Sequence, residues 1–254
     1  MIKYLIFDLD NTIYPSTALI NQQIPQRMIS FVAKFLNITF DQAKELRANR
    51  LPHYGSTLEW LSTEHKLTNY NDFLFFVHPE EEVNELPKID GLRELLLSID
   101  LPKTILTNGP KFHAERVLKF YNIEDCFTNI YGIIENQLKG KPHPQAYKNI
   151  LTKENFTLEE TLFFDDHPKY VKGFLDIGGK PVLVDKNLEF QEQPFLFLRH
   201  ILSKHLNFQQ SRQYSKPANK IISHNRTLVN TYKQNPLGRS REGSSFMHTL
   251  MQSQ

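Results

Sequence analysis

Four acidic side chains carry the first chemical signal in this chain of 254 residues. Asp8 and Asp10 stand at the end of the apolar run Lys3–Leu9, and Asp165 and Asp166 end Thr161-Leu-Phe-Phe in the same manner. Carboxylates this close repel, and a divalent cation such as Mg2+ is one way to settle them. The plain alternative for Asp8 and Asp10 is a strand that ends in a turn. For Asp165 or Asp166 taken singly it is a helix N-cap or an acid complementing the helix dipole. Neither accounts for two acid pairs at two strand ends. Thr107-Asn108-Gly109 closes Thr104-Ile-Leu with a hydroxyl, an amide and a permissive glycine. Such a turn can aim the Thr107 hydroxyl and backbone N–H groups at a phosphate, although Asn-Gly alone is ordinary turn chemistry. Lys141 precedes Pro142, which restricts it to extended backbone and suits presenting its ammonium in a fixed direction. A lone loop lysine is ordinarily solvated, so its weight comes from the company it keeps. Nothing near His143 suggests a zinc ligand set.

These residues need a scaffold that brings strand ends together. Lys3–Leu9, Thr104–Thr107, Phe127–Ile134, Thr161–Asp165 and Pro181–Val184 are short apolar runs bounded by polar or glycine-rich residues. Helical patterns lie between the later ones, at Phe112–Phe120, Pro144–Lys153 and Tyr170–Ile177, and Pro194–Leu206 forms a last amphipathic stretch. The alternation predicts an α/β fold with a Rossmann-like parallel sheet, whose ligands bind beyond the carboxyl ends of the strands. Residues 16–87 break the rhythm. Ile20, Ile24, Met28, Phe31 and Phe35 keep one helical face, and Thr39–Gln42 and Ser56–Glu59 fit the capping box that opens a helix. We expect a helical cap inserted at 16–87, a core of 1–15 and 88–206, and a separate tail at 207–254.

Asp8/Asp10, Thr107, Lys141 and Asp165/Asp166, in that order and each at a strand end or following turn, match the four motifs of the haloacid dehalogenase (HAD) superfamily. The resemblance covers roughly residues 1–206. Asp-x-Asp-x-Thr at 8–12 is similar to the phosphatase branch, and the dehalogenases lack the second aspartate, so Asp10 argues against that activity. Within the superfamily, Asp-Asn-Thr-Ile-Tyr-Pro at 10–15, Tyr54-Gly-Ser-Thr-Leu-Glu-Trp-Leu61, Thr-Asn-Gly-Pro-Lys-Phe-His-Ala-Glu-Arg-Val-Leu at 107–118 and Ile-Glu-Asp-Cys-Phe at 123–127 resemble pyrimidine 5′-nucleotidases. The chain departs at Asp165-Asp166-His167-Pro168-Lys169-Tyr170, where that family has Asp-Asp-Ser and a later Asn.

The resemblance implies a Mg2+-dependent hydrolysis of phosphate monoesters through an aspartyl-phosphate. Asp8 is then the nucleophile and Asp10 the acid–base. Thr107, Asn108 and Lys141 bind phosphate; Asp8, Asp10 through its backbone carbonyl, and Asp166 hold the metal, with Asp165 behind them. Substrate choice falls to the cap, where Arg50, Tyr54 and Ser56 are candidates to contact a nucleoside monophosphate; Ser56 as a plain N-cap and Tyr54 as packing are the alternatives. A phosphatase for another small phosphorylated metabolite would share every catalytic residue. A non-enzymatic protein binding through its tail would not need the acid set.

Composition bounds the rest. Hydrophobic residues at 40% and charged residues at 23% suffice for a sizeable core, and 10 Gly with 19 Phe and 10 Tyr exclude collagen-like and wholly disordered classes. No apolar run approaches a membrane span. The opening Met-Ile-Lys-Tyr-Leu-Ile-Phe-Asp does not read as a signal peptide, and the single Cys126 cannot form an intramolecular disulfide, so we expect the cytoplasm. The net charge of +2 is uneven: residues 207–254 carry +6 and the rest −4. That tail is rich in Asn, Gln and Ser, and we expect a largely disordered extension able to contact polyanions.

Overall fold

The structure, a computed structural model, describes residues 1–184, so the amphipathic stretch at 194–206 and the tail at 207–254 lie outside the described residues. Strands β1 (Tyr4–Phe7), β2 (Lys103–Leu106), β3 (Asn129–Tyr131), β4 (Thr161–Asp165) and β5 (Lys180–Leu183) form one parallel sheet in the order β3-β2-β1-β4-β5. The residues of β1, β2 and β4 are buried throughout, as strands covered on both faces must be. In β1 successive side chains point to opposite faces. Leu5 and Phe7 join Leu9, Ile105, Leu162 and Phe164 on one side, while Tyr4 and Ile6 join Leu106, Phe163, Tyr147 and Phe174 on the other. Phe7 stacks on Phe164 with centroids 4.6 Å apart.

The register places the chemistry. Phe7 pairs with Ile105 of β2 and with Phe164 of β4. The next residues, Asp8, Leu106–Thr107 and Asp165, therefore emerge side by side at the carboxyl edge of three neighbouring strands. Helices α6 (Lys111–Phe120), α7 (Pro144–Glu154) and α8 (Pro168–Asp176) follow β2, β3 and β4. The strand expected over 127–134 is shorter than its apolar run. Only Asn129–Tyr131 pairs, because β3 is an edge strand with β2 as its sole neighbour.

Between β1 and α5 (Leu92–Leu97) come α1 (Leu19–Leu36), α2 (Phe40–Arg50), α3 (Thr57–His65), α4 (Tyr70–Val77) and a short 3-10 segment, Glu80–Glu85. These helices build their own apolar cluster from Phe31, Val32, Leu58, Trp60, Leu61, Phe73, Leu74 and Val77. The expected stripe on α1 holds at Ile20 and Phe31 but not at Phe35, which is 39% exposed; Ile29 and Val32 are buried instead. The helix packs against both α2 and α4, so its buried band turns away from a single line. Thr39 and Gln42 form the reciprocal capping box, with bonds of 3.3 and 2.9 Å. Ser56 accepts the Glu59 N–H at 3.1 Å, but the Glu59 carboxylate takes the N–H of Gly55 rather than that of Ser56. Among the described residues no helix is long and apolar enough to cross a membrane.

Candidate active site

Lys141 is the centre of the site, and it is fully buried. Its ammonium donates to Asp8 Oδ1 at 2.6 Å and to Asp165 Oδ2 at 2.6 Å. The rings of Tyr170 and Phe163 lie 5.1 and 5.5 Å from Nζ, supplying π faces in place of water. Burial opposes charge on Lys141, yet Asp165 and Asp8 outweigh it and hold the ammonium protonated well above the usual lysine range. The Asp8 carboxyl moves up from its ordinary value, first through burial and then through repulsion from Asp165, with Lys141 opposing both. Asp165 Oδ1 accepts the N–H of His167 at 2.7 Å, which holds its other oxygen on the lysine.

Asp8, Asp165 and Asp166 each offer an oxygen within 4.8 Å of the others'. Three carboxylates against one ammonium leave the pocket short of positive charge. Hard oxygen donors with that deficit fit a divalent cation such as Mg2+ and suit a soft metal poorly.

The turn after β2 forms another wall of the pocket. Thr107 is buried, and its Oγ1 accepts the N–H of Gly109 at 2.9 Å, leaving the hydroxyl proton directed elsewhere. The Asn108 side chain is spent on Lys141: Oδ1 accepts the Lys141 N–H at 2.7 Å and Nδ2 donates to the Lys141 carbonyl at 2.8 Å.

Asp10 opens to solvent more than its neighbours, with 27% of its side chain exposed. Its Oδ1 accepts from the Tyr14 hydroxyl and, at 3.0 Å, from Nε2 of His113 on α6. His113 Nδ1 lies 2.7 Å from Glu82 Oε1, and His78 Nδ1 lies 2.9 Å from Glu82 Oε2. A ring with a carboxylate on each nitrogen must be doubly protonated to donate to both. Burial would lower the His113 pKa, but Asp10 and Glu82 raise it to about 10. Burial likewise pushes Asp10 up, and the His113 charge and the bonds from His113 and Tyr14 more than reverse this, holding it below the usual carboxylate range. Glu82 is drawn down to about 2 by its two histidines against its own burial. His78 stays low through burial and the neighbouring His113 cation.

Sequence reasoning missed His113, Glu82, His78 and Tyr14. The one signal was His113 on the face of α6 shared by the buried Ala114, Val117 and Leu118, where an apolar residue belongs. Glu82 sits in Glu80-Glu81-Glu82, which looks like a solvated acidic run.

The expected substrate contacts Arg50, Tyr54 and Ser56 have partners of their own. Arg50 Nε is 3.3 Å from Glu64, the Tyr54 hydroxyl donates to Glu64 at 2.9 Å, and Ser56 caps α3. A different residue of that segment reaches the core: Glu59 meets His143 Nε2 at 3.2 Å, just past Lys141.

The model of the haloacid dehalogenase-like hydrolases matches residues 2–178. The chain is 24% identical over 213 residues to Phosphate metabolism protein 8 of Saccharomyces cerevisiae, over 78% of this chain and 66% of that protein, just under two thirds of the relative's length. Among solved structures, the HAD phosphatase of Thermococcus onnurineus aligns with a TM-score of 0.55 at 20% identity, covering 79% of this chain and 98% of that one. The HAD-hydrolase YfnB of Bacillus subtilis, solved bound to magnesium, aligns at 0.52 and 18% identity over 80% and 99% of the two chains. These likenesses establish the fold.

Proposed function

Because the chain belongs to the haloacid dehalogenase-like hydrolase family, we propose that it is a Mg2+-dependent phosphatase that cleaves phosphate monoesters through an aspartyl-phosphate on Asp8. The observation that carries this reading is the second acid. Asp10 stands two residues from Asp8, open on one side and tied on the other to Tyr14 and His113. A hydrolase of alkyl halides needs no such group, whereas expulsion of an alkoxide requires a proton.

Asp8 attacks phosphorus and becomes the acyl-phosphate, dividing one difficult displacement into two. Asp10 gives a proton to the leaving oxygen and later takes one from the attacking water. Asp10 is an anion in the substrate-free protein. A phosphate dianion beside it raises its proton affinity, the direction an acid requires. Lys141 and the Thr107 hydroxyl bind the transferring oxygens, and the backbone N–H of Asn108 joins them. Asp165 orients Lys141. Asp8, Asp166 and the Asp10 backbone carbonyl would hold Mg2+, which when bound offsets the repulsion between the carboxylates and the incoming phosphate.

We read residues 16–87 as the cap that selects the substrate, and a pyrimidine nucleoside 5′-monophosphate as that substrate. The support is the resemblance at 10–15, 54–61 and 107–118, together with a yeast relative named for phosphate metabolism. Arg50, Tyr54 and Ser56 remain candidate contacts. A cytoplasmic setting is supported by the lone Cys126, buried and without a disulfide. The +6 charge of residues 207–254 supports a salt-sensitive contact with polyanions. Phosphate release from a panel of nucleoside monophosphates and sugar phosphates, with and without Mg2+, tests the reading; no release from any monoester would refute it.

A further inference from the structure

Proton transfer in the reaction proposed above runs through Asp10, and the inference that follows rests on that reading. We propose that His113, braced by Glu82, is a positioning residue that fixes the rotation of the Asp10 carboxylate, reserving Oδ2 for proton exchange with substrate and water.

The two oxygens of Asp10 have different surroundings. Oδ1 takes two donors, the Tyr14 hydroxyl and the His113 ring at 3.0 Å. Oδ2 faces the phosphate turn: a methyl group placed on Gly109 would lie 4.0 Å from it and 3.3 Å from Thr107 Oγ1. The Asp10 oxygen without the two ties thus borders the gap that the Thr107 hydroxyl borders. Rotation about the last bond of an aspartate is broad and two-fold, so the side chain's own preferences do not keep its oxygens apart. Two donors on one oxygen do.

The donor is itself held. His113 is fully buried, its Nδ1 is 2.7 Å from Glu82 Oε1, and its ring lies 4.3 Å from that of His78. Glu82 is buried and spends its other oxygen on His78 at 2.9 Å. The same three residues offer ligand-type atoms within 4.8 Å of one another. A cation there would meet guanidinium nitrogens of Arg27 and Arg116 at 3.9 and 4.0 Å from the Glu82 carboxylate, and both Glu82 oxygens already face ring nitrogens. A brace for the acid fits this environment better than a second metal site.

In the first step an Asp8 oxygen bonds to phosphorus, the bond from phosphorus to the leaving oxygen breaks, and the proton on Asp10 Oδ2 moves to that oxygen. In the second, water oxygen bonds to phosphorus, the bond to Asp8 breaks, and the water proton returns to Asp10 Oδ2. His113 touches Oδ1 throughout and neither gains nor loses an atom.

Glutamine and asparagine at residue 113 separate the two ends of the ring. The Gln amide nitrogen reaches the place of Nε2 and can still donate to Asp10; that of Asn reaches only the place of Nδ1, toward Glu82. On an aliphatic phosphate (a nucleoside 5′-monophosphate or glycerol phosphate), His113→Asn should lower kcat about 10²-fold with KM changed by less than about threefold, and His113→Gln should recover to within about tenfold of wild type. On 4-nitrophenyl phosphate, whose leaving group departs without a proton, His113→Asn should release one nitrophenolate per enzyme in a fast burst and then turn over slowly. Equal losses in the two variants, or no difference between the two substrates, would show that His113 only packs and would overturn the role. Should His113→Asn not fold, Glu82→Gln keeps the ring and loosens its brace. It should give a smaller loss with the same burst, and a wild-type ratio between the two substrates would overturn the proposal equally. Turnover abolished by Asp8→Asn but undiminished by His113→Asn would sink the positioning role alone. A wild-type protein inert toward every monoester would remove both it and the phosphatase reading.

Discussion

Asn108 grips Lys141 by both ends of its peptide, one side-chain atom on the N–H and the other on the carbonyl, across 33 residues of sequence. The lysine that meets Asp8 and Asp165 is therefore positioned from its backbone as well as its ammonium. Asn108→Ala would strand two buried backbone groups at a cost of about 1–3 kcal/mol. At roughly 2–4 °C per kcal/mol for a chain of this size, the fall in Tm should be several degrees. Gly140→Ala should behave alike, since its new carbon would lie 2.3 Å from Asn108 Oδ1. Thermal denaturation of the two variants checks this, and an unchanged Tm in both would mean the clamp contributes little.

Asp8→Asn should abolish turnover, because an amide cannot become an acyl-phosphate. Asp10→Asn should lower kcat about 10²-fold or more by removing acid–base help. Steady-state kinetics with Mg2+ measures both, and wild-type-like turnover in Asp8→Asn would end the covalent mechanism.

The adjacent acids at the end of β4 should separate by function. Asp166→Ala should weaken Mg2+ binding more than Asp165→Ala does, read by calorimetric titration. Asp165→Ala should instead cost stability, because it removes one of two carboxylates on a buried ammonium and the acceptor of the His167 N–H. Equal affinities and equal Tm values would mean the two acids share one role.

Stability should depend on pH through His113 and Glu82. The His113 pKa is raised from 6.5 to about 10, so its contribution is complete below about 6.5 and is lost as pH rises through 10. Glu82 is depressed from 4.5 to about 2, so its contribution is complete above about 4.5 and is lost as pH falls toward 2. The Tm of the metal-free protein should decline on the alkaline side beginning near 6.5, and His113→Gln should flatten that limb. An identical alkaline decline in His113→Gln would assign the dependence to other groups.

The parts of the site that end strands were legible. Thr161-Leu-Phe-Phe-Asp165 reads as a strand stopping at an acid, and its bounds match β4, because burial on both faces leaves a continuous apolar run with a sharp end. Asp8, Thr107 and Asp165 stand together once the strands are parallel, whereas Lys141, in the loop before α7, drew notice only through the resemblance of the four motifs in order. What escaped is tertiary in origin. His113 lies 103 residues from Asp10 and 31 from Glu82, and no local period links three residues on three elements. The bonds of the Asn108 side chain to the backbone N–H and carbonyl of Lys141, 33 residues away, left no local sign either. The reach of Glu59 past its own cap to Gly55 and His143 was invisible for the same reason.

Glu82 lies on the segment that returns the chain from the inserted helices to the sheet, and Asp10 and Tyr14 lie on the segment that leaves it. Both covalent routes into the insertion thus converge on one carboxylate, the outgoing one directly and the returning one through Glu82 and His113. Arg27 of α1 adds a third strand to this harness by meeting Glu82 and Glu85. A change anywhere in the insertion that shifts these segments will be transmitted to the acid. Screens for altered turnover should accordingly find sensitive positions concentrated at 11–14 and 78–85, beyond the residues proposed to meet the substrate.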